Sequence, residues 1–208
     1  LEADQAELQN ILEQINRVAS STQYGHNYLL DGSRAGNGVT TGDYLEFIDA
    51  SAVAHSSGPG GYAVDIQRAA TRSIHSGSVA LSQAIIDSGE QITISEGGKT
   101  VNFMTEKGKT VEQTLNDLGT AIKDANLDLE LIRPYPPNTA GNAPQAITLR
   151  HKEFGSEHTF QAASNTAGRV SHISNVNVLV DNGLDVIGSI GGEETRGRGQ
   201  VLTGAVGA

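Results

Sequence analysis

The chain has 208 residues, enough for one sizeable domain or two small ones, with 37% hydrophobic and only 4% aromatic residues, no Trp and 25 Gly. That mix favours small-residue packing and many turns over an aromatic-lined pocket for a small molecule. A formal charge of -10 with no basic stripe excludes a nucleic-acid backbone or an anionic membrane as the main partner, and the lack of Cys excludes disulfides, thiolate metal sites and cysteine nucleophiles.

In chain order, Leu1 to about Ser20 reads as a helix. Leu8, Ile11, Leu12, Ile15 and Val18 recur at spacings of three, four and seven and share one face, while Glu2, Glu7, Glu13 and Arg17 occupy the other. A helix with so few apolar residues needs outside packing, either as the core-facing helix of a globular domain or as a coiled-coil seam. Leu1 already stands within this helix, so the chain is expected to be a fragment or processed product. Residues 20–43 hold five glycines and a DGS turn at 31–33, which predicts a tight hairpin with a short strand at Tyr28–Leu30. A short alternating stretch follows at Tyr44–Ile48, and the breaker HSSGPGG at 55–61 suggests a domain boundary.

Beyond it, YAVDI (62–66) reads as a strand, and QITIS (91–95) with TVNFMT (100–105) forms a hairpin around EGGK, with Ile92, Ile94, Val101 and Phe103 inward. Thr110 and Gln113 make a capping box for a helix in which Val111, Leu115, Leu118, Ile122 and Ala125 align. Strands at 127–131, 146–150 and 159–163, interrupted by a loop at 133–145, complete a β-hairpin-helix-β unit at about 90–164. The fold class expected is α+β and β-rich, with one helix covering an antiparallel sheet. VNVLV (176–180) and LDVIGSI (184–190) read as sheet-edge strands, and RGR (196–198) as a solvated loop.

Catalytic chemistry finds no candidate. His151 and His158, with Glu153 and Glu157 between them, match no compact metal signature and read as a β-turn with solvated charges. His26, His55, His75 and His172 fall in Ser- and Gly-rich stretches and read as surface residues. No G-x-S-x-G elbow, phosphate loop, dinucleotide fingerprint or calcium loop occurs. The chain is therefore read as a non-enzyme with no cofactor and no metal.

ELQNILEQINRVASSTQYGHNYLLDGS (7–33) resembles the bacterial flagellin family, through Ile15, Arg17, Val18, Ala19, Ser20, Thr22, Tyr24, Leu29, Leu30, Asp31 and Gly32. It departs from the family's aromatic-Asn-Gly at Tyr24-Gly25-His26. The hairpin-helix stretch 90–131 resembles inserts of flagellins and hook-associated proteins, and GLDVIGSIGGEETRGRGQVLTG (183–204) is similar to a Gly-rich strand motif of the same proteins, with Ser189 and Gly191 in place of Thr and Asn. The resemblance implies an extracellular structural subunit of the flagellum. Residues 1–43 would belong to a core domain and 44–208 to outer variable domains. Its partners would be other flagellin subunits or axial proteins and an export chaperone.

On this reading Leu8, Ile11, Leu12, Ile15 and Val18 form the assembly face, and Thr22, Tyr24, Leu29, Leu30, Asp31 and Gly32 the motif turn. The polymerising terminal helices would be missing, leaving a monomeric fragment. The filament subunit is the first expectation and a hook-filament junction (hook-associated) protein the second. A capping protein fits less well, because the motif belongs to flagellin-type chains. A surface adhesion or ligand-binding domain is a further alternative, which would show clustered aromatic and amide side chains in a concave patch.

Overall fold

The computed structural model describes residues 2–21, 23–24, 27–28, 38–51, 54–55, 57–132 and 146–204. It is a strand-rich α+β chain that divides into two compact units, the second being Ala63–Gly204. Within the first, the periodic segment forms α1 (Glu2–Ser21), followed by β1 (Gln23–Tyr24) and β2 (Asn27–Tyr28), which pair antiparallel with Gln23 opposite Tyr28. The expected strand at Tyr28–Leu30 thus begins at Asn27, while Leu29, Leu30 and the DGS turn lie outside the described residues. The alternating stretch at Tyr44–Ile48 forms no strand, and Tyr44 is 99% exposed. Residues 44–62 group with the first unit, and the second begins just after HSSGPGG.

The second unit opens with β3 (Val64–Arg68), β4 (Arg72–Ser76) and the six-residue α2 (Gln83–Ser88). Then come β5 (Gln91–Glu96), β6 (Lys99–Met104) and α3 (Val111–Asp124). The β5–β6 turn places Gly97 and Gly98 at φ of 56° and 79°, the doubly positive geometry that closes a two-residue hairpin in keeping with strand twist. It sets Ile92 opposite Phe103 and Ile94 opposite Val101, as the alternation predicts. The Thr110 side chain accepts from the Gln113 N–H while the Gln113 side chain reaches back to the Thr110 N–H, so the expected capping box starts α3. Val111, Leu115, Leu118 and Ile122 are all buried.

After α3 run β7 (Leu129–Ile132), β8 (Thr148–Phe154), β9 (Gln161–Ser164), β10 (Val178–Leu179), β11 (Ile187–Ile190), β12 (Glu193–Glu194), β13 (Arg196–Arg198) and β14 (Val201–Thr203). The loop expected at 133–145 lies outside the described residues. The strands of the hairpin-helix unit at 90–164 divide between two sheets. One has the order β10-β9-β5-β6 and the other β4-β8-β7, all paired antiparallel. Helix α3 packs against β6 of one and β7 of the other, so its apolar face closes a core shared by both. The division depends on β4, which occupies the edge of β8 and which the hydropathy pattern hides. There Ser73 is buried, bonded through Oγ to the Asp181 carbonyl at 2.7 Å, while Ile74 is 53% exposed.

A third sheet, β12-β11-β3, joins the two ends of the unit. Val64 opposes Ile190, the Gly191 N–H donates to the Ala63 carbonyl at 2.8 Å, and the β13–β14 hairpin packs against β11. The chain therefore enters and leaves this unit beside one strand. RGR at 196–198 is strand β13 rather than a loop, because β14 supplies its ladder; Arg198 remains exposed and pairs with Glu157 at 2.7 Å.

Candidate interaction surfaces

The apolar stripe of α1 lies at the surface, with Leu8 60%, Ile11 46%, Leu12 56%, Ile15 57% and Val18 53% exposed. Amphipathic spacing builds this stripe, with Glu7 and Glu13 on the opposite face. Of the motif-turn residues, Tyr24 ends β1, whereas Thr22, Leu29, Leu30, Asp31 and Gly32 lie outside the described residues.

The histidines need correction. His151 is buried in the middle of β8, because the strand runs on to Phe154 and turns His151 inward on the same side as Leu149. Its Nδ1 accepts the Glu153 N–H at 3.0 Å, its ring centroid is 5.0 Å from that of His158, and its Nε2 stands 3.6 Å from Glu96 Oε1. His75 sits half-buried on β4 and not in a loop, while His55 and His172 are exposed and His26 lies outside the described residues. Among the described residues no group of three or more His, Asp or Glu is placed to hold a metal ion. No helix among them is long and apolar enough to cross a membrane.

The sequence reading missed two features of the second unit. The first is a junction at Asp185, whose carboxylate accepts the Ser156 hydroxyl, the Ser156 N–H at 3.1 Å and the Gly199 N–H at 2.7 Å, while its carbonyl accepts Arg68 Nη2 at 3.2 Å. These bonds tie the turn after β8, the approach to β11 and the β13–β14 turn together. Gly155, at φ 113°, is required here, since a Cβ would stand 2.6 Å from Asp185 Oδ1. The Ser156 hydroxyl, then the Gly199 and Ser156 N–H groups, stabilise the ionised carboxylate and hold its pKa below the usual 3.8. A carboxyl with a lower pKa when folded adds its full stabilisation above the unfolded value, and loses it as pH falls below about 3.8 and through the folded value. Asp185→Asn should therefore flatten the acid limb of thermal stability between about pH 4 and 2, leaving the dependence near neutrality unchanged. Unfolding midpoints across that range check it, and an unaltered acid limb would count against the junction.

The second feature is the outward side of the β10-β9-β5-β6 sheet, which leads into an open depression of about 260 Å³ lined by Gln91, Thr93, Ala163, Ser164, Asn165, Asn175 and Asn177. Strict alternation in β5 was a legible signal for it, since Gln91, Thr93 and Ser95 must face away from buried Ile92 and Ile94.

Fold and surfaces together define a β-rich α+β protein with an exposed amphipathic helix face and a self-contained strand-built unit. No family model matches the chain, and no curated protein matches it. Solved structures of the flagellar cap protein FliD are similar. The D1-D2-D3 domains from Escherichia coli are 12% identical with a TM-score of 0.46, over 67% of this chain and 42% of that one. The D2-D3 domains from the same organism are 13% identical with a TM-score of 0.47, over 70% and 79%. FliD from Bdellovibrio bacteriovorus is 12% identical with a TM-score of 0.39, over 66% and 76%. This chain thus spans less than half the length of the first of these. All three TM-scores are below 0.5, and the likeness carries no assignment of function.

Proposed function

We propose that this chain is part of an extracellular structural protein of the bacterial flagellum, an axial protein of the hook-associated kind rather than the filament subunit. The observation that carries the class is the α1 stripe. Leu8, Ile11, Leu12, Ile15 and Val18 are half-exposed on one helix face, and covering them gains on the order of 1 kcal/mol apiece. Neighbouring axial helices are the partner that fits such a face. The resemblance of residues 7–33 to the flagellin family gives that partner its identity, and residues 90–131 and 183–204 resemble stretches that hook-associated proteins also carry. On this reading residues 1–43 are part of a core domain and residues 44–208 form the outer domains.

Antibodies against the 63–204 unit test this on intact flagellated cells. A single point of label at one end of each flagellum is expected. Label along the whole length would replace the hook-associated reading by the filament one, and no label on flagella would remove the class. A paired Ile11→Asp and Ile15→Asp substitution is expected to eliminate incorporation into the flagellum. The unfolding midpoint of the 63–204 unit should stay within about 1 °C, because these side chains are outside its core. Incorporation at the wild-type level would show that the stripe is not the assembly face.

A further inference from the structure

The outward side of the β10-β9-β5-β6 sheet is free of charge in a chain of net charge -10. On it β5 shows Gln91, Thr93 and Ser95, and strand register sets Asn102 opposite Thr93, and Thr100 and Gln161 opposite Ser95. Cross-strand bonds from Thr93 Oγ1 to Asn102 Oδ1 and between the Ser95 and Thr100 hydroxyls, each 2.9 Å, hold these groups in place. At one end lies the depression. Asn165 is committed to its frame, accepting the Gln91 N–H at 3.0 Å, but the carboxamides of Gln91, Asn175 and Asn177 make no hydrogen bond to other described residues.

We propose that this depression binds a neutral carbohydrate, with the side chains of Gln91, Asn175 and Asn177 as its hydrogen-bonding contacts. A carboxamide offers a donor and an acceptor in one plane, the complement of two adjacent sugar hydroxyls, each of which also donates and accepts. The lining holds no cation, so an anionic ligand gains nothing there, and Ala163 is its only apolar side chain, so a hydrophobic ligand is poorly served. A peptide strand cannot add, because β5 and β9 beneath the depression are interior strands whose ladders are already filled. Without an aromatic ring to stack on, a single site binds in the millimolar range.

The test is a titration of the ¹⁵N-labelled 208-residue chain with maltotriose and triacetylchitotriose up to about 20 mM, following side-chain NH₂ signals. Saturable shifts of the Gln91, Asn175 and Asn177 amides are expected with at least one of the two sugars. The paired variant Asn175→Ala and Asn177→Ala, and separately Gln91→Ala, should weaken binding about tenfold or more while backbone signal dispersion is retained, since one hydrogen bond is worth roughly that factor. Absence of saturable shifts with either sugar overturns the proposal. So do shifts that survive both variants, or shifts that follow protein concentration without sugar, which would make the face a contact between copies.

Discussion

Replacing Arg169 by alanine is expected to destabilise the 63–204 unit by about 3–5 kcal/mol, the cost of breaking a buried charge pair from one side. Arg169 is 2% exposed, and its Nη1 donates to the carbonyls of Val79 at 2.6 Å and Ala80 at 2.5 Å. Its Nε stands 3.7 Å from Oε2 of Glu90, itself 1% exposed, which makes a charge contact and not a hydrogen bond. The other carboxylate oxygen accepts the Thr166 N–H at 3.0 Å. Truncation leaves two carbonyls and a carboxylate without their cation in the interior. Changing Glu90 to Gln and Arg169 to Met together should recover part of the loss, because no charge is then stranded. Denaturant unfolding of the three proteins checks both statements, and a cost below about 1 kcal/mol for the single change would mean that water or a rearranged side chain replaces the guanidinium.

Gly197→Ala is expected to cost about 3 kcal/mol or to detach the β13–β14 hairpin. An added Cβ would stand 1.8 Å from the Val186 carbonyl oxygen, a backbone atom in the stretch that Asp185 anchors and whose Val186 N–H donates to the Gly199 carbonyl at 2.9 Å. Backbone cannot turn aside as a side chain can, so β13 must move away from the approach to β11. Gly119→Ala is the contrast. It lies within α3 with nothing within 4 Å of an added Cβ, so the change should stabilise by roughly 0.5–1 kcal/mol through helix propensity. Equal effects at the two positions would show that close backbone approach is not what Gly197 serves.

Local rules made α1, the β5–β6 hairpin and α3 legible. Each element carries its own period and its own end signals: the i, i+3, i+4 spacing of Leu8 to Val18, the paired glycines at 97–98, and the Thr110–Gln113 box. Helix α2 was missed although Gly89 ends it in the left-handed conformation at φ 83°, because six residues give too few turns for a period to emerge. β4 was missed because a serine faces inward and an isoleucine outward, which reverses the hydropathy cue. The Asp185 junction and the Glu90–Arg169 pair join residues 14 to 117 positions apart, and neither leaves a local mark.

By itself the sequence determined the elements whose cause is local, the α+β class and the apolar stripe of α1, since periodicity and capping act over a few neighbouring residues. Tertiary structure alone decided that the strands of the 63–204 unit divide between separate sheets, that His151 is buried and that uncharged amides gather at one end of a sheet. Those outcomes depend on which strand edges meet and which side chains then share a face, and long-range pairing, unlike a helical turn, has no period to read along the chain.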